Sequence, residues 1–231
     1  GQTSTTDYVP AAGAPVTQTT ATNPLGWQTV STVDPGYGQQ LSVTDVNGKH
    51  TDFGYDGLGR VIAAWTPGRD KATQSANLVF AYMVPNSGSP TATSASKLNP
   101  QGTGYITSWT LYDGLLRTRQ TQSPAPGGGR IITDTLYDSR GLVSVKRAAY
   151  HDTEAPGTTL YQPEAGAVPA ATVNVYDGAE RPTQEIFLKL NAEQWRTTTS
   201  YSANWVSVIP PVGGTATTTY TDARDHVTAL V

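Results

Sequence analysis

The sequence has no cysteine among its 231 residues, and this absence removes several classes of protein at once. Disulfide scaffolds, CxxC redox centres, thiolate nucleophiles and cysteine-based zinc sites all require that side chain. Charge is also scarce, since Asp, Glu, Lys and Arg make up 14% of the residues and the net charge is -3. Duplex nucleic acids are bound mainly by clusters of Lys and Arg, so we expect no nucleic-acid partner.

Long hydrophobic stretches are missing as well. The longest apolar run covers residues 78–84, whereas a bilayer span needs roughly 18 uncharged apolar residues, so no membrane span is expected. Residues 1–6 lack the basic and apolar regions of a signal peptide, which is typical of a mature or excised piece.

Helical periodicity is absent too, and the residues present favour strands. The chain has 23 glycines, 16 prolines and many threonines, a mixture typical of strands separated by turns. Alternating runs predict strands over residues 50–55, 61–65, 78–84, 105–112, 131–137, 142–148, 172–176, 183–188 and 205–209. We expect surface loops at 85–104, 124–129 and 154–169, and a loop with one helical turn at 70–76. The sequence therefore predicts an all-β fold.

Internal repeats are the most informative feature of the chain. Four Tyr-Asp pairs each end an alternating run and open a short turn, in the segments YDGLGRV from Tyr55, YDGLLRT from Tyr112, YDSRGLV from Tyr137 and YDGAERP from Tyr176. Degenerate copies follow at Tyr201 and Tyr220, the latter with its aspartate one place late, at Asp222. The repetition predicts a string of hairpins.

Simple chemistry explains the repeated residue types. An aspartate at the first corner of a tight turn can accept a hydrogen bond from the N–H two residues on. An arginine just past the turn can reach back to the aspartate or pack on a neighbouring tyrosine, and we expect each tyrosine to be at least half buried. The structural motif is predicted to comprise Tyr55, Asp56, Gly59, Arg60, Tyr112, Asp113, Arg117, Tyr137, Asp138, Gly141, Tyr176, Asp177 and Arg181.

One position of the motif varies in a way that has a conformational cost. Gly59 and Gly141 stand where a positive φ costs glycine little, but Leu116 and Glu180 replace glycine in the other two repeats. Those two turns must therefore differ in type or store strain.

These residues carry a resemblance to a known family. Residues 45–61, DVNGKHTDFGYDGLGRV, followed by Pro67, resemble a full unit of the RHS/YD-repeat family. The stretch 23–231 is similar to the repeat region of large actinobacterial RHS proteins. The domain organisation expected is a lead-in strand region at 1–22 and a single hairpin array at 23–231.

The resemblance implies a fold and a role. In bacterial RHS toxins, Tc toxin complexes and teneurins, such repeats form antiparallel hairpins that wind side by side into a hollow β-shell, which commonly encloses a toxin or other polypeptide. We thus expect successive antiparallel β-hairpins forming a curved sheet, a segment of such a shell. The self-cleaving core of the family is absent, because residues 34–38, DPGYG, are only superficially like it. No autoproteolysis is assigned.

Catalytic and metal motifs were weighed against simpler explanations. GxSxG, GxxxxGK[ST], GxGxxG after a strand and HExxH are all absent, and His50, His151 and His226 stand in separate repeats. Asn47-Gly48 is interpreted as a type I′ turn rather than part of a calcium loop, residues 127–130 as a hairpin loop rather than an anion site, and His151-Asp152 as a solvated pair. We expect no enzyme, no cofactor and no metal.

Three functions stay open at this point. The first is a structural shell segment, secreted or at the cell surface, whose partners are neighbouring repeats and an enclosed polypeptide. The second is a module binding a glycan or receptor through its long loops or an aromatic platform formed by Trp27, Trp65, Trp109, Trp195 and Trp205, although such residues usually pack within sheets. The third is a carbohydrate-active enzyme using a pair of the repeated aspartates, which their common turn position argues against.

Overall fold

The computed structural model describes residues 3–86, 88–164 and 166–231, which contain eighteen β-strands and no helix. Ser87 and Ala165, which fall in two predicted loops, lie outside the described residues. The strands are β1 (Thr5–Val9), β2 (Gln18–Thr22), β3 (Gln28–Val33), β4 (Gln40–Thr44), β5 (His50–Tyr55), β6 (Val61–Trp65), β7 (Leu78–Met83), β8 (Ala92–Leu98), β9 (Tyr105–Tyr112), β10 (Thr118–Pro124), β11 (Arg130–Tyr137), β12 (Val143–Asp152), β13 (Ala170–Tyr176), β14 (Pro182–Lys189), β15 (Ala192–Tyr201), β16 (Trp205–Ile209), β17 (Thr217–Thr221) and β18 (Val227–Leu230).

The prediction of an all-β fold is confirmed, and each of the nine predicted strands is present. Several are longer than predicted, as in β12, which continues to Asp152. Residues 70–76 form the expected loop, in which the N–H groups of Thr73 and Gln74 donate to the carbonyl of Asp70.

The prediction of a loop over 85–104 is wrong, because β8 lies within it. The sequence of β8, ATSASKL, carries small and polar residues, so the alternation of large apolar side chains that marks a strand is missing. Its buried positions are instead Ala92 and Ser94. The other strands not predicted are β1–β4, β10, β15, β17 and β18.

The chain divides into two compact units. Unit 1 contains residues up to Met83 together with Thr93–Ser108, and unit 2 contains Val84–Ala92 and Trp109–Val231. Within unit 1, strands β1 to β7 pair consecutively and antiparallel. Within unit 2, the same pattern runs from the second half of β9 to β18. Each unit is therefore a series of hairpins, while the boundary at residue 23 stays a prediction.

A β-bulge accompanies every Tyr-Asp turn. In the β5–β6 pair the register moves from Gly54 opposite Ala63 to Tyr55 opposite Val61, which leaves Ile62 as the extra residue. Equivalent shifts occur at the other Tyr-Asp turns, beside Tyr112, Tyr137 and Tyr176. The Asp45 turn, which has no tyrosine before it, has no bulge. A bulge bends its strand and raises the local twist, so the repeat fixes strand geometry as well as turn type.

The most deeply buried residues lie in unit 2. Leu111 and Ile132 are completely buried, and so are the polar side chains of Gln120 and Gln122 on β10. Asp134 on β11 is 1% exposed. Most other strand residues are only partly buried.

Candidate functional site

All four Tyr-Asp turns have the same hydrogen-bond geometry. In the Asp113 turn, Oδ1 accepts the N–H of Leu115 at 2.9 Å and that of Arg117 at 3.0 Å. The bonds from the residues two and four places on recur at Asp56, Asp138 and Asp177. The predicted side-chain bond to the N–H two residues on is therefore present in each repeat, and a second bond closes the turn.

The other carboxylate oxygen of each aspartate binds an arginine. Nε of Arg60 and of Arg117 lies 2.7 Å from its aspartate, and that of Arg181 lies 2.8 Å away. In the third repeat the arginine comes earlier, and Nη2 of Arg140 donates to Oδ2 of Asp138 at 2.9 Å. Both oxygens of every motif aspartate are therefore engaged.

These contacts keep the aspartates ionised. The pKa of Asp56 and of Asp177 lies below its ordinary value, first because the backbone N–H of the arginine four residues on donates to the carboxylate. Partial desolvation opposes this effect, and the side-chain bond to the same arginine adds to it. The general acid of a glycosidase needs the opposite shift, a raised pKa, so these groups are unsuited to that role.

The position occupied by Gly59 and Gly141 has a positive φ in every repeat. The φ values are 78° and 92° at the two glycines, and 59° and 64° at Leu116 and Glu180. Because all four turns make the same bonds, Leu116 and Glu180 do not change the turn type. Of the two outcomes expected from the sequence, stored strain is the one observed.

The same turn also occurs where no tyrosine precedes it. Oδ1 of Asp45 accepts the N–H of Asn47 and of Lys49, both at 2.8 Å, and Gly48 has a φ of 72°. The interpretation of Asn47-Gly48 as a type I′ turn is wrong, because that turn needs a positive φ at both residues and Asn47 has none. Asn23 and Asp222 form further copies. For the Asp45 and Asn23 turns, the sequence carried a usable signal, an Asp or Asn followed three residues later by glycine.

Tyrosine side chains connect a hairpin to the one before it at several places in the described residues. The hydroxyl of Tyr137 on β11 donates to the carbonyl of Thr118 on β10 at 3.0 Å, while the Arg117 guanidinium lies 4.1 Å from the centre of the tyrosine ring. We call this pair of contacts a tyrosine rung. Further rungs join Tyr82 to Val61 and Arg60, Tyr176 to Val143 and Arg140, and Tyr201 to Pro182 and Arg181.

All four motif tyrosines are partly buried, and two of them, Tyr137 and Tyr176, form rungs. Tyr55, Tyr112, Tyr137 and Tyr176 are all in the intermediate class of burial, which confirms the expectation that each is at least half buried. Tyr55 donates to the carbonyl of Gln40 at 2.7 Å without an arginine over its ring. Sequence analysis missed Tyr82, because it lies inside the apolar run of β7 and has no aspartate after it.

A buried polar cluster in unit 2 was not predicted. The carboxylate of Asp134 accepts bonds from Arg119 and Gln120 on one oxygen, and from Arg147 and the Tyr150 hydroxyl on the other, at distances from 2.6 to 3.1 Å. Burial alone would raise the pKa of Asp134, but these hydrogen bonds outweigh desolvation and lower it. Burial and the bond to Asp134 raise the pKa of the Tyr150 hydroxyl. An ionised carboxylate, that of Asp134, is therefore at the centre of this buried hydrogen-bonded cluster.

The interpretation of His151-Asp152 as a solvated pair is wrong. Asp152 is not part of a solvated pair, since it forms a 2.6 Å ion pair with Arg130 and its side chain is 10% exposed. The imidazole of His151 instead lies 3.1 Å from the carbonyl of Gly128. Arg130 is committed to Asp152, and residues 125–129 form the expected hairpin turn.

The five tryptophans of the predicted platform are divided between the two units. Trp27 and Trp65 belong to unit 1, and Trp109, Trp195 and Trp205 belong to unit 2. Trp195 stacks on Phe187 at 5.3 Å, and the Trp65 indole N–H donates to the carbonyl of Gln74. Trp27, at 57% exposure, is the most open of the five. In the described part of the chain, no group of His, Asp and Glu side chains could hold a metal ion.

The regular turns correspond to a family model. Residues 35–69, which include the Asp45 and Asp56 turns, match the model of the RHS repeat. The chain carries an RHS repeat. The resemblance inferred from residues 45–61 is therefore confirmed, and the geometry of the Asp56 turn shows what the RHS motif residues do in this protein.

Solved structures extend the likeness in fold to nearly the whole chain. The crystal structure of TcdB2-TccC3 matches with a TM-score of 0.71 and 16% identity over 92% of this chain and 13% of that chain. The crystal structure of TcdB2-TccC3-Cdc42 matches with a TM-score of 0.66 and 14% identity, over 92% and 16%. The predicted all-β fold of successive antiparallel hairpins is confirmed. The chain thus spans less than a fifth of the solved chains that it matches.

No curated protein matches the sequence. No helix in the part of the chain that the structure describes is long and apolar enough to cross a membrane.

Proposed function

We propose that this RHS chain is a wall segment of a larger RHS/YD-repeat shell that encloses or presents a toxin or another polypeptide, and that it catalyses no reaction. The observation that carries the proposal is the tyrosine rung. Rungs occur in both units and tie consecutive hairpins together at the same point of the repeat. A wall built from hairpins needs such contacts between them, because each hairpin buries little surface by itself.

The electrostatics of the motif support a structural role. Each motif aspartate is ionised and bonded to backbone N–H groups and to an arginine. A catalytic carboxylate would need an oxygen free to meet a substrate and a pKa matched to proton transfer. The same arrangement, with both carboxylate oxygens already bonded, occurs four times, which supports a structural role rather than a catalytic one.

Partners and location follow from the same proposal. The nearest partners are neighbouring repeats of the parent protein and a polypeptide held within its shell, and the parent is secreted or exposed at the cell surface. A glycan- or receptor-binding role receives no specific support, because the tryptophans are divided between the units and Trp195 is engaged with Phe187. We therefore propose no second function.

Limited proteolysis of the parent shell protein tests the proposal. We expect a polypeptide segment of the parent to resist protease, and to become cleavable in a variant combining Tyr137→Phe and Tyr176→Phe, which removes two rung hydrogen bonds. Tyr8→Phe is the matched control, because Tyr8 is 51% exposed and its hydroxyl makes no bond in the described part of the chain. A parent protein with no protected segment, or with protection unchanged by the double substitution, contradicts the wall function.

A further inference from the structure

Residues 155–161, which we call the strap, lie across the most deeply buried polar side chains of unit 2. The strap follows β12 in the chain and contacts Gln120 and Gln122 on β10. Both glutamines are completely buried. Together with Arg130, they form the floor of a groove that the strap fills.

The glutamines recognise the main chain of the strap. The Gln120 amide donates to the carbonyl of Tyr161 at 2.9 Å and accepts the N–H of the same residue at 3.0 Å. The Gln122 amide accepts the N–H of Gly157 at 2.8 Å and donates to the carbonyl of Thr159 at 2.9 Å. Backbone groups of alternate strap residues, Gly157, Thr159 and Tyr161, are thus bound by two glutamine side chains.

Side chains of the strap contribute at one position. The ring of Tyr161 lies 5.2 Å from the Arg130 guanidinium and 6.2 Å from the ring of Tyr150. Thr159 is exposed, and a Cβ added at Gly157 would meet no atom within 4 Å. The groove therefore requires a backbone with the course of the strap, which bends at Thr158 and Thr159, and an aromatic residue at the place of Tyr161.

The groove is held in shape by contacts that do not involve the strap. The Gln120 amide also donates to Asp134 at 2.7 Å, and the Gln122 amide donates to Gln120 at 2.7 Å. Arg130 is anchored by Asp152. Both glutamine amides are therefore oriented before any strap is bound, which lowers the entropic cost of binding.

From this geometry we propose that the groove is a peptide-binding site that reads main-chain groups, filled in cis by the strap. When the strap is displaced, the site accepts in trans a polypeptide whose backbone follows the course of the strap, with an aromatic residue in the register of Tyr161. The inference concerns unit 2 alone and does not depend on the wall function. Displacing the strap removes one of the two bonds that each glutamine amide nitrogen donates, and a bound peptide would restore it.

The test uses the full chain with residues 155–161 replaced by a Gly/Ser linker of equal length. Fluorescence anisotropy measures binding of a labelled synthetic peptide with the sequence of residues 153–163, TEAPGTTLYQP. We expect binding to the replaced chain and none to the intact chain. N-methylation of the peptide at the Gly157 or Tyr161 amide should weaken binding at least about tenfold, since each removes a bond to a buried amide.

N-methylation at the Thr159 amide is the matched control, because that N–H makes no bond in the described part of the chain. No binding to a replaced chain that circular dichroism shows to be folded, or equal loss at all three amides, overturns the proposal. If the replaced chain does not fold, hydrogen exchange in the intact chain tests whether the glutamines bind the main chain of the strap. The amides of Gly157 and Tyr161 should exchange slowly and those of Thr158 and Leu160 rapidly, and uniform exchange overturns the main-chain reading.

Discussion

Substitutions at the third residue after the turn aspartate should have opposite effects in two repeats. At Gly59 φ is 78°, and an added Cβ would overlap Nε2 of Gln39, which donates to the Gly59 carbonyl at 2.9 Å. At Glu180 φ is 64° with a Cβ already present, and the Glu180 carboxylate forms no ion pair in the described residues. We expect Gly59→Ala to destabilise the protein and Glu180→Gly to stabilise it.

The magnitudes follow from the backbone and from one hydrogen bond. A left-handed conformation destabilises the folded state by roughly 1–2 kcal/mol when the residue is not glycine. Replacing glycine also reduces the conformational entropy of the unfolded chain, which stabilises the folded state by about 0.4–1 kcal/mol. The net effect of conformation is therefore about 0.5–1 kcal/mol at either site. Displacing the Gln39 amide adds about 1 kcal/mol at Gly59. Gly59→Ala should thus lower the free energy of unfolding by about 2 kcal/mol, and Glu180→Gly should raise it by about 0.5–1 kcal/mol.

Urea unfolding followed by circular dichroism measures both changes as shifts of the midpoint at constant slope. Gly57→Ala is the control, because Gly57 has no positive φ and an added Cβ there would meet nothing within 4 Å. The reasoning is refuted if Gly59→Ala loses no more stability than Gly57→Ala, or if Glu180→Gly lowers the midpoint.

Three further predictions concern the turns, the rungs and the buried cluster. Asp177→Asn should lower the melting temperature less than Asp177→Ala, because asparagine keeps the Oδ1 acceptor; equal losses would argue against the turn role. Tyr137→Phe should cost about 1 kcal/mol in urea unfolding through the lost bond to Thr118, and no change would show that the rung adds no stability. Since the pKa of Asp134 is lowered from its usual value of 3.8, its ionised form stabilises the fold above that pH, and this stability is lost as the pH falls further. The midpoint should therefore fall as the pH drops below about 3.8, and Asp134→Asn, which leaves two partly buried arginines without their counter-charge, should cost about 3 kcal/mol at neutral pH; a midpoint independent of pH would contradict this account.

The features that sequence reasoning found are those whose causes are local. The bonds of Asp113 reach no further than Arg117, so residue types within one turn determine its geometry. The nine predicted strands likewise have alternating apolar residues along their own length. The resemblance to RHS repeats rests on such local patterns, which is why it was visible without coordinates.

The features that were missed depend on distant partners. Strand β10, with the sequence TRQTQSP, reads as polar because its buried residues are glutamines whose backbone partners lie 37 and 41 residues further along the chain. Asp134 is buried only because two arginines and Tyr150 surround it, and no spacing in the sequence marks that meeting. These buried polar groups could not be predicted, because the residues that hydrogen-bond to them lie far away in the sequence.

The placement of the Tyr-Asp turns has a consequence for how such a chain can change over evolution. In unit 2 the connections that follow odd-numbered strands are short and nearly uniform, and those that follow even-numbered strands range from residues 190–191 to residues 153–169. Insertions at the second kind of connection leave every rung intact, whereas one extra residue between Asp113 and Arg117 would move the arginine away from Tyr137. One border of the unit is therefore free to acquire new sequence, including segments such as the strap, while the opposite border preserves the spacing of the hairpins.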